Sequence, residues 1–90
     1  MHDQHLDHLL DTLDRHRQRA TEQAVAAFVG QSAPRLLAGR PRDARHSWVV
    51  NEVTRLPSGY RPEEMHPELR VKPGVLASVE QLDAWLRNPV

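Results

Sequence analysis

The sequence contains no cysteine among its 90 residues. This absence excludes a disulfide framework, a thiol nucleophile and any zinc site built on thiolate ligands. The fold must therefore be held together by packing, and hydrophobic residues make up 39% of the chain. Because a domain of this length buries a comparatively small fraction of its surface, we expect a shallow binding surface and no deep active site.

Long apolar runs are also missing. None approaches the roughly 18 residues that a membrane-spanning helix needs. The opening segment, MHDQHLDHLL, lacks the basic-then-apolar order of a signal peptide. We expect a cytoplasmic protein without a membrane association, and the sequence indicates no cofactor.

Aromatic residues are scarce, at 4% of the chain. A buried aromatic side chain contributes roughly 150–250 Å², so a few of them dominate a small core. We therefore predict that Trp48, Tyr60 and Trp85 are core residues. The alternative for Trp48 is stacking on a nucleic-acid base, which requires an exposed ring.

Lysine occurs once, so eleven of the twelve basic residues are arginine, whose planar fork suits phosphate and base edges. The net charge of zero is a cancellation of unlike regions. Four aspartates give the first fourteen residues −4, whereas seven arginines against two acids give residues 15 to 46 a charge of +5. The remainder carries five positive and six negative charges, or −1. The middle third is the basic part of the chain.

Hydrophobic spacing predicts helices in the first half. An i, i+3, i+4, i+7 leucine stripe indicates an amphipathic helix over about residues 3–18. Thr21 is placed to cap a second helix that Gly30 ends, and Ser32 to cap a third helix that Gly39 closes. The leucines of the stripe are Leu6, Leu9, Leu10 and Leu13.

The second half reads differently. Residues 47–53 are predicted to form a strand, and LPSGY either the turn of a hairpin or the start of the next loop. We predict a β-ribbon and loop over residues 46–77, with one helical turn near Glu63–His66. A short strand and a C-terminal helix over 79–87, capped by Ser78, complete a single domain.

Residues 21–39 have the spacing of a helix-turn-helix. Ala26 is small where two helices would cross, Gly30 lies four positions later at the turn, and Leu36 is an inward anchor. Ser32 and Arg35 then occupy the exposed start of the second helix, where they would meet phosphate or a guanine edge. The alternative is two short core helices. The fold class expected is α+β, a small winged-helix-like domain with extra terminal helices.

A run of arginines follows that helix. Phosphate contacts need cations at the rim of the reading element, and a winged helix would place them here. The alternative is a solvated loop. The predicted DNA-binding residues are Ser32, Arg35, Arg40, Arg42, Arg45 and His46.

The segments TEQAVAAFVG, PRLLAG and HSWVVN resemble the winged-helix DNA-binding half of the O6-alkylguanine-DNA alkyltransferases and alkyltransferase-like proteins, over about residues 21–60. The resemblance implies a three-helix core with a small β wing, minor-groove insertion of the second helix, and Arg35 as the arginine that replaces a flipped base. The positions that keep the family pattern are Thr21, Ala26, Gly30, Arg35, Val49, Val50 and Asn51.

The departures concern the family's chemistry. Glu22 replaces a tyrosine, and an acid there repels a phosphate. His46 stands where the family has its alkyl-accepting cysteine or a tryptophan, with Ser47 and Trp48 where it has histidine and arginine. Without any cysteine, alkyl transfer is excluded. The resemblance therefore leaves a DNA-binding scaffold, which does not by itself fix a function.

Two other groups of residues could suggest a metal site or a catalytic triad. His2, His5, His8 and Asp11 recur every three residues, but no further ligands are fixed nearby, so a solvated helix face is favoured over a metal site. Asp43, His46 and Ser47 lie too close in sequence along an alternating strand to converge as a triad. We expect no metal site and no catalysis.

The function expected is non-catalytic DNA binding, as a regulator or accessory factor. The alternative is a protein-interaction module, a homodimer or a subunit of a complex, that uses the leucine stripe and acidic face of the N-terminal helix. If the first is right, Ala26 and Leu36 are in contact and Arg35 joins the arginine loop in one positive patch. The acidic first helix then lies on the opposite side.

Overall fold

The computed structural model describes residues 4–89 and shows a small mixed α/β fold. His2 and Asp3 lie outside the described residues. Three single turns of 3-10 helix occupy Ala33–Arg35, His46–Trp48 and Pro62–Glu64. The helices and strands in chain order are α1 (Gln4–His16), β1 (Arg19–Thr21), α2 (Glu22–Val29), β2 (Val49–Val50), β3 (Val75–Leu76) and α3 (Val79–Arg87).

The three strands form one parallel sheet with β1 in the centre, in the order β2, β1, β3. Ala20 pairs with Val49 on one side and with Leu76 on the other. The predicted β-ribbon is wrong, since within residues 4–89 the 46–77 region contributes two short strands and no antiparallel hairpin. The prediction failed because strand β1 was not foreseen: β2 and β3 pair with its two edges and not with each other. Val53, predicted in the strand, is 89% exposed on the loop that follows.

The amphipathic prediction for α1 is confirmed, because all four leucines of the stripe are at most 1% exposed. The helix ends at His16, two residues before the predicted end. Arg17 then adopts a left-handed conformation with φ 56°, and the Gln18 N–H donates to the Leu13 carbonyl at 3.0 Å. This closing turn redirects the chain into β1.

Helix α2 has the predicted ends. The Thr21 hydroxyl accepts a hydrogen bond from the Ala24 N–H at 3.1 Å, and Gly30 is left-handed with φ 74°. The predicted third helix is wrong, because residues 33–35 form one 3-10 turn and further turns continue to Gly39. Successive bonds such as Leu36 N–H to the Ala33 carbonyl at 3.2 Å span three residues, not four.

The C-terminal prediction is confirmed, with α3 over Val79–Arg87 and the Ser78 hydroxyl accepting from the Gln81 N–H at 3.1 Å. Leu82 and Trp85 are buried, and α3 packs on α2. Ala26 and Leu36 both belong to the core cluster. None of the helices within residues 4–89 is long and apolar enough to cross a membrane.

Candidate nucleic-acid interface

The segment predicted to contact DNA, residues 35–46, is called the arginine loop below. Two of its four arginines pair with acids of α1. Arg40 Nη1 lies 2.7 Å from Asp7 Oδ1, and Arg45 Nε lies 2.7 Å from Asp11 Oδ1. Arg45 Nη2 also lies 3.6 Å from Asp7 Oδ1. The predicted separation of the acidic first helix from the arginines is therefore wrong.

The reason lies in helical geometry. Asp7 and Asp11 are four residues apart in α1, so they project from the same face one turn apart. The arginine loop crosses that face, and two guanidinium groups bind two carboxylates. These bonds fix the loop to the helix and neutralise half of its arginine charge.

His46, another predicted DNA contact, is 4% exposed, so it is a buried residue and not a surface one. Its Nδ1 lies 2.7 Å from Asp43 Oδ1, which also accepts the His46 backbone N–H at 3.0 Å. Burial alone would raise the pKa of Asp43, but the hydrogen bonds from His46 outweigh it and hold that pKa below its usual value. The His46 Nε2 is buried and has no hydrogen-bond partner within residues 4–89.

Ser47 holds two backbone segments together. Its hydroxyl donates to the Ala44 carbonyl at 2.6 Å and accepts the His66 N–H at 3.1 Å. The hydroxyl proton is thus directed at a carbonyl and not at an imidazole nitrogen. The arrangement of Asp43, His46 and Ser47 is that of a packed turn.

Trp48 is fully buried, as predicted for a core residue. Its indole N–H donates to Asp14 Oδ1 at 2.8 Å, and its ring lies 4.8 Å from the His66 ring, centroid to centroid. A buried ring offers no face to a nucleic-acid base. Trp85 is 8% exposed and is also a core residue.

The remaining predicted contacts face solvent. Ser32 precedes the 3-10 turn without capping it, and Arg35 ends that turn. Within residues 4–89, neither Arg35 nor Arg42 makes a side-chain hydrogen bond or an ion pair. Arg35 borders a surface depression that Gly30, Gln31 and Ser32 also line. The loop therefore has two internal arginines and two external ones.

A cleft of about 430 Å³ separates the arginine loop from β2 and the 58–60 turn. Its polar edge includes Arg42, whose Nη2 lies 3.5 Å from the place where a Cβ on Gly59 would stand. At another edge Ser58 Oγ donates to Glu22 Oε1 at 3.1 Å. The remaining lining residues are Ala33, Pro34, Leu37, Ala38, Gly39, Arg40, Pro41, Val49 and Tyr60.

Tyr60, predicted as a core residue, is only half-buried at this cleft and does not belong to the core cluster. Burial raises the pKa of the Tyr60 phenol to about 12, and the negative charge of Asp43 acts in the same direction. A hydrogen bond with the Asp43 backbone and the charge of Arg42 oppose the shift. At neutral pH the cleft thus holds a neutral hydroxyl and the exposed guanidinium of Arg42, which suit hydrogen bonding and anion contact, with the carboxylate of Glu22 at another edge.

The histidines predicted as a solvated face of α1 do not form a metal site among the described residues. His5 and His8 are exposed, and His2 of that pattern lies outside the described residues. No group of three or more histidine and acidic side chains in the described part of the chain has the geometry of a metal site.

Sequence reasoning missed a second basic group, Arg19, Arg55 and Arg70, which we call the Arg19 cluster. Arg19 Nη1 donates to the Arg55 carbonyl at 2.9 Å, and Arg19 Nη2 donates to the Lys72 carbonyl at 3.1 Å. Because its members are far apart in sequence, no local charge run indicates it. The central strand β1 carries Arg19, and its pairing with β2 and with β3 brings the segment after β2, with Arg55, and the segment before β3, with Arg70, to the same place.

No family model, curated protein or solved structure matches this chain. The function proposed next rests on the geometry of the chain itself.

Proposed function

We propose that this protein binds duplex DNA without catalysing a reaction, and that it makes contact through the solvent-facing side of segment 30–42. The observation that carries the proposal is that Arg35 and Arg42 are exposed and make no internal ion pair within residues 4–89. Guanidinium groups in that state are available for phosphate oxygens or guanine edges. The resemblance to winged-helix proteins supports the DNA contact at Arg35 alone, because residues 4–89 contain neither a full recognition helix nor an antiparallel wing.

The ion pairs of the arginine loop support this role. Arg40 and Arg45 are bound to α1, so the loop that carries Arg42 is held in place before a ligand arrives. Preorganisation lowers the entropic cost of binding, because fewer side chains and backbone bonds are ordered on association. Arg40 and Arg45 thus anchor the loop, and Arg35 and Arg42 are left to contact DNA.

The 3-10 turn gives Arg35 its position. A single turn at Ala33–Arg35 is too short to lie along a groove as a recognition helix. The turn can still present one arginine side chain, and the resemblance implies that Arg35 is the arginine that replaces a flipped base. We therefore place one inserted side chain at Arg35 and phosphate contact at Arg42, beside the cleft.

The test is the salt dependence of binding to a short labelled duplex, measured by fluorescence anisotropy. For the double variant Arg35→Ala/Arg42→Ala we expect the slope of log affinity against log salt to become shallower by about 2, with affinity reduced roughly tenfold. The matched control is Arg87→Ala, an exposed α3 arginine paired only with Asp83. The proposal is contradicted if the parent protein does not bind the duplex, or if the double variant and Arg87→Ala bind it equally well.

A second candidate function, a protein-interaction module, is favoured by a different surface from the one predicted. The leucine stripe is buried in the protein's own core, so it offers nothing to a partner. Phe28, however, is 36% exposed, and it lines a depression of about 400 Å³ between α1 and the end of α3 together with Leu86 and Pro89. A homodimer through this face would be seen by light scattering and lost in Phe28→Ser.

A further inference from the structure

The Arg19 cluster contains a buried cation that no carboxylate of residues 4–89 contacts. Arg19 is only 7% exposed, and its guanidinium bonds are to two backbone carbonyls, those of Arg55 and Lys72. Carbonyl dipoles satisfy N–H donors but do not cancel a unit charge. Buried charges in proteins are ordinarily paired, so this one is an exception that calls for an explanation.

One donor of the same group is left over. Arg19 Nε is buried and has no hydrogen-bond partner within residues 4–89. An unsatisfied buried donor costs on folding, and native proteins contain few of them. The unpaired charge and the unsatisfied Nε–H both indicate that Arg19 creates a positive potential that the described residues do not neutralise.

Two exposed arginines complete the cluster. In residues 4–89 the side chains of Arg55 and Arg70 make no hydrogen bond and no ion pair, and both face solvent. Burial lowers the pKa of Arg19, and the charges of Arg70 and then Arg55 lower it further, which places both arginines within electrostatic range. The nearby Glu68 is bound by Arg17 at 2.8 Å.

We propose that the Arg19 cluster is a binding site for a phosphate oxyanion, with Arg55 and Arg70 as its contacting side chains. Arg19 supplies fixed positive charge behind them and ties their loops together. Phosphate fits better than a carboxylate because it carries up to two negative charges and presents three oxygens to several guanidinium forks. The site uses none of the residues of the proposed DNA interface, so it stands or falls independently of it.

The first test is a thermal-unfolding titration with inorganic phosphate, against sodium chloride at equal ionic strength. At roughly ten times the dissociation constant we expect the midpoint to rise by about 5–10 °C above the chloride series. The rise should be absent in Arg55→Ala/Arg70→Ala and retained in Arg35→Ala/Arg42→Ala. A rise no larger than that in chloride, or one that survives in the first variant, overturns the proposal.

The second measurement does not depend on a variant that folds. In ¹⁵N NMR spectra of the parent protein, the Arg19 Nε–H resonance and the amides of residues 55 and 70–72 should shift together as phosphate is added. Shifts confined to segment 30–42 would contradict the site.

A further measurement, of binding to duplex DNA, distinguishes the two possible sources of the phosphate. If the phosphate of a nucleic-acid backbone is the ligand, Arg55→Ala/Arg70→Ala makes the salt slope of duplex binding shallower by about 2. If a free phosphate or phosphomonoester is the ligand, that slope is unchanged while the response to inorganic phosphate is lost. Either outcome upholds the oxyanion site.

Discussion

The arginine loop and the Arg19 cluster are both rich in arginine, and their surroundings differ. Two carboxylates of α1, Asp7 and Asp11, bind Arg40 and Arg45 of the loop, and Asp43 of the loop itself binds His46. In the described part of the chain the hydrogen bonds of Arg19 are to carbonyls and none is to a carboxylate. Charge density along the sequence is therefore a poor guide to charge on the surface, because acids of a distant helix can cancel it.

Each region also contains one buried side chain with an unsatisfied nitrogen, His46 Nε2 in the loop and Arg19 Nε in the cluster. His46 Nδ1 has an anionic partner, the carboxylate of Asp43. Arg19 keeps its charge at any physiological pH; its acceptors within residues 4–89 are backbone carbonyls, and the charges of Arg70 and Arg55 that act on it are positive. The loop is thus partly neutralised from within, with Arg35 and Arg42 left for external anions, whereas the cluster needs an external anion for its buried charge as well.

The largest effect is expected where the arginine loop joins the core. Trp48→Ala removes a fully buried ring and its hydrogen bond to Asp14. We expect a loss of about 3–5 kcal/mol in the free energy of unfolding, measured by urea denaturation. Phe28→Ala, at a ring that is 36% exposed, is the control and should cost much less. Equal losses would mean that the loop is not built on the core.

A smaller loss of stability is expected when Arg19, the buried member of the cluster, is replaced, and it reports the structural role of the cluster separately from binding. Arg19→Met leaves the carbonyls of Arg55 and Lys72 without their donors, while it relieves the repulsion among the arginines. We expect a net loss of about 1–3 kcal/mol in stability. Arg87→Met, at an exposed α3 residue, should change stability by under about 0.5 kcal/mol. A stabilised Arg19→Met protein would show that repulsion outweighs both hydrogen bonds.

How far the sequence predicted this molecule depends on the range of the interactions. Periodicity and capping residues act within a few positions, so α1, α2, α3 and their caps at Thr21 and Ser78 were predictable. Strand β1 was not, because RAT carries no alternation and becomes a strand only through its two neighbours. The third helix was not predictable as a 3-10 turn, because Pro34 in a first turn fits either kind of helix, and the segment closes in three-residue turns.

The candidate site was predictable in part. Arg35 and Arg42 are exposed, as expected of surface contacts. Its ion pairs with Asp7 and Asp11 join residues more than thirty positions apart, and the burial of His46 depends on Asp43 and on core packing. The Arg19 cluster is assembled by strand pairing and had no sequence signal.

A smaller effect concerns the cleft beside the loop, and it appears at alkaline pH. The pKa of Tyr60 is raised from 10.0 to about 12. The neutral phenol therefore contributes stability that is complete below pH 10 and is lost as the pH rises towards 12. The full shift corresponds to about 2.7 kcal/mol, which solvent screening of the half-buried ring reduces to about 1–2 kcal/mol. Tyr60 is the only tyrosine, so tyrosinate absorbance follows it alone. Tyr60→Phe should lack this alkaline loss, and a phenol that titrates near pH 10 in the folded protein would contradict the buried cleft.

Removing the two carboxylates of α1 that pair with the arginine loop should make the loop resemble the Arg19 cluster. Asp7→Asn together with Asp11→Asn preserves side-chain shape and removes the charges that hold Arg40 and Arg45. Because these pairs are partly exposed, the cost in stability should be only about 1 kcal/mol for both. Two released guanidinium groups and two lost carboxylates should raise the affinity for duplex DNA several-fold and make its salt slope steeper by up to about 2. Asp83→Asn on α3, which frees only Arg87, is the control. If the double variant binds DNA no better than this control, the loop has no part in DNA binding, because adding positive charge to a phosphate-facing surface must strengthen attraction within the Debye length of about 8 Å.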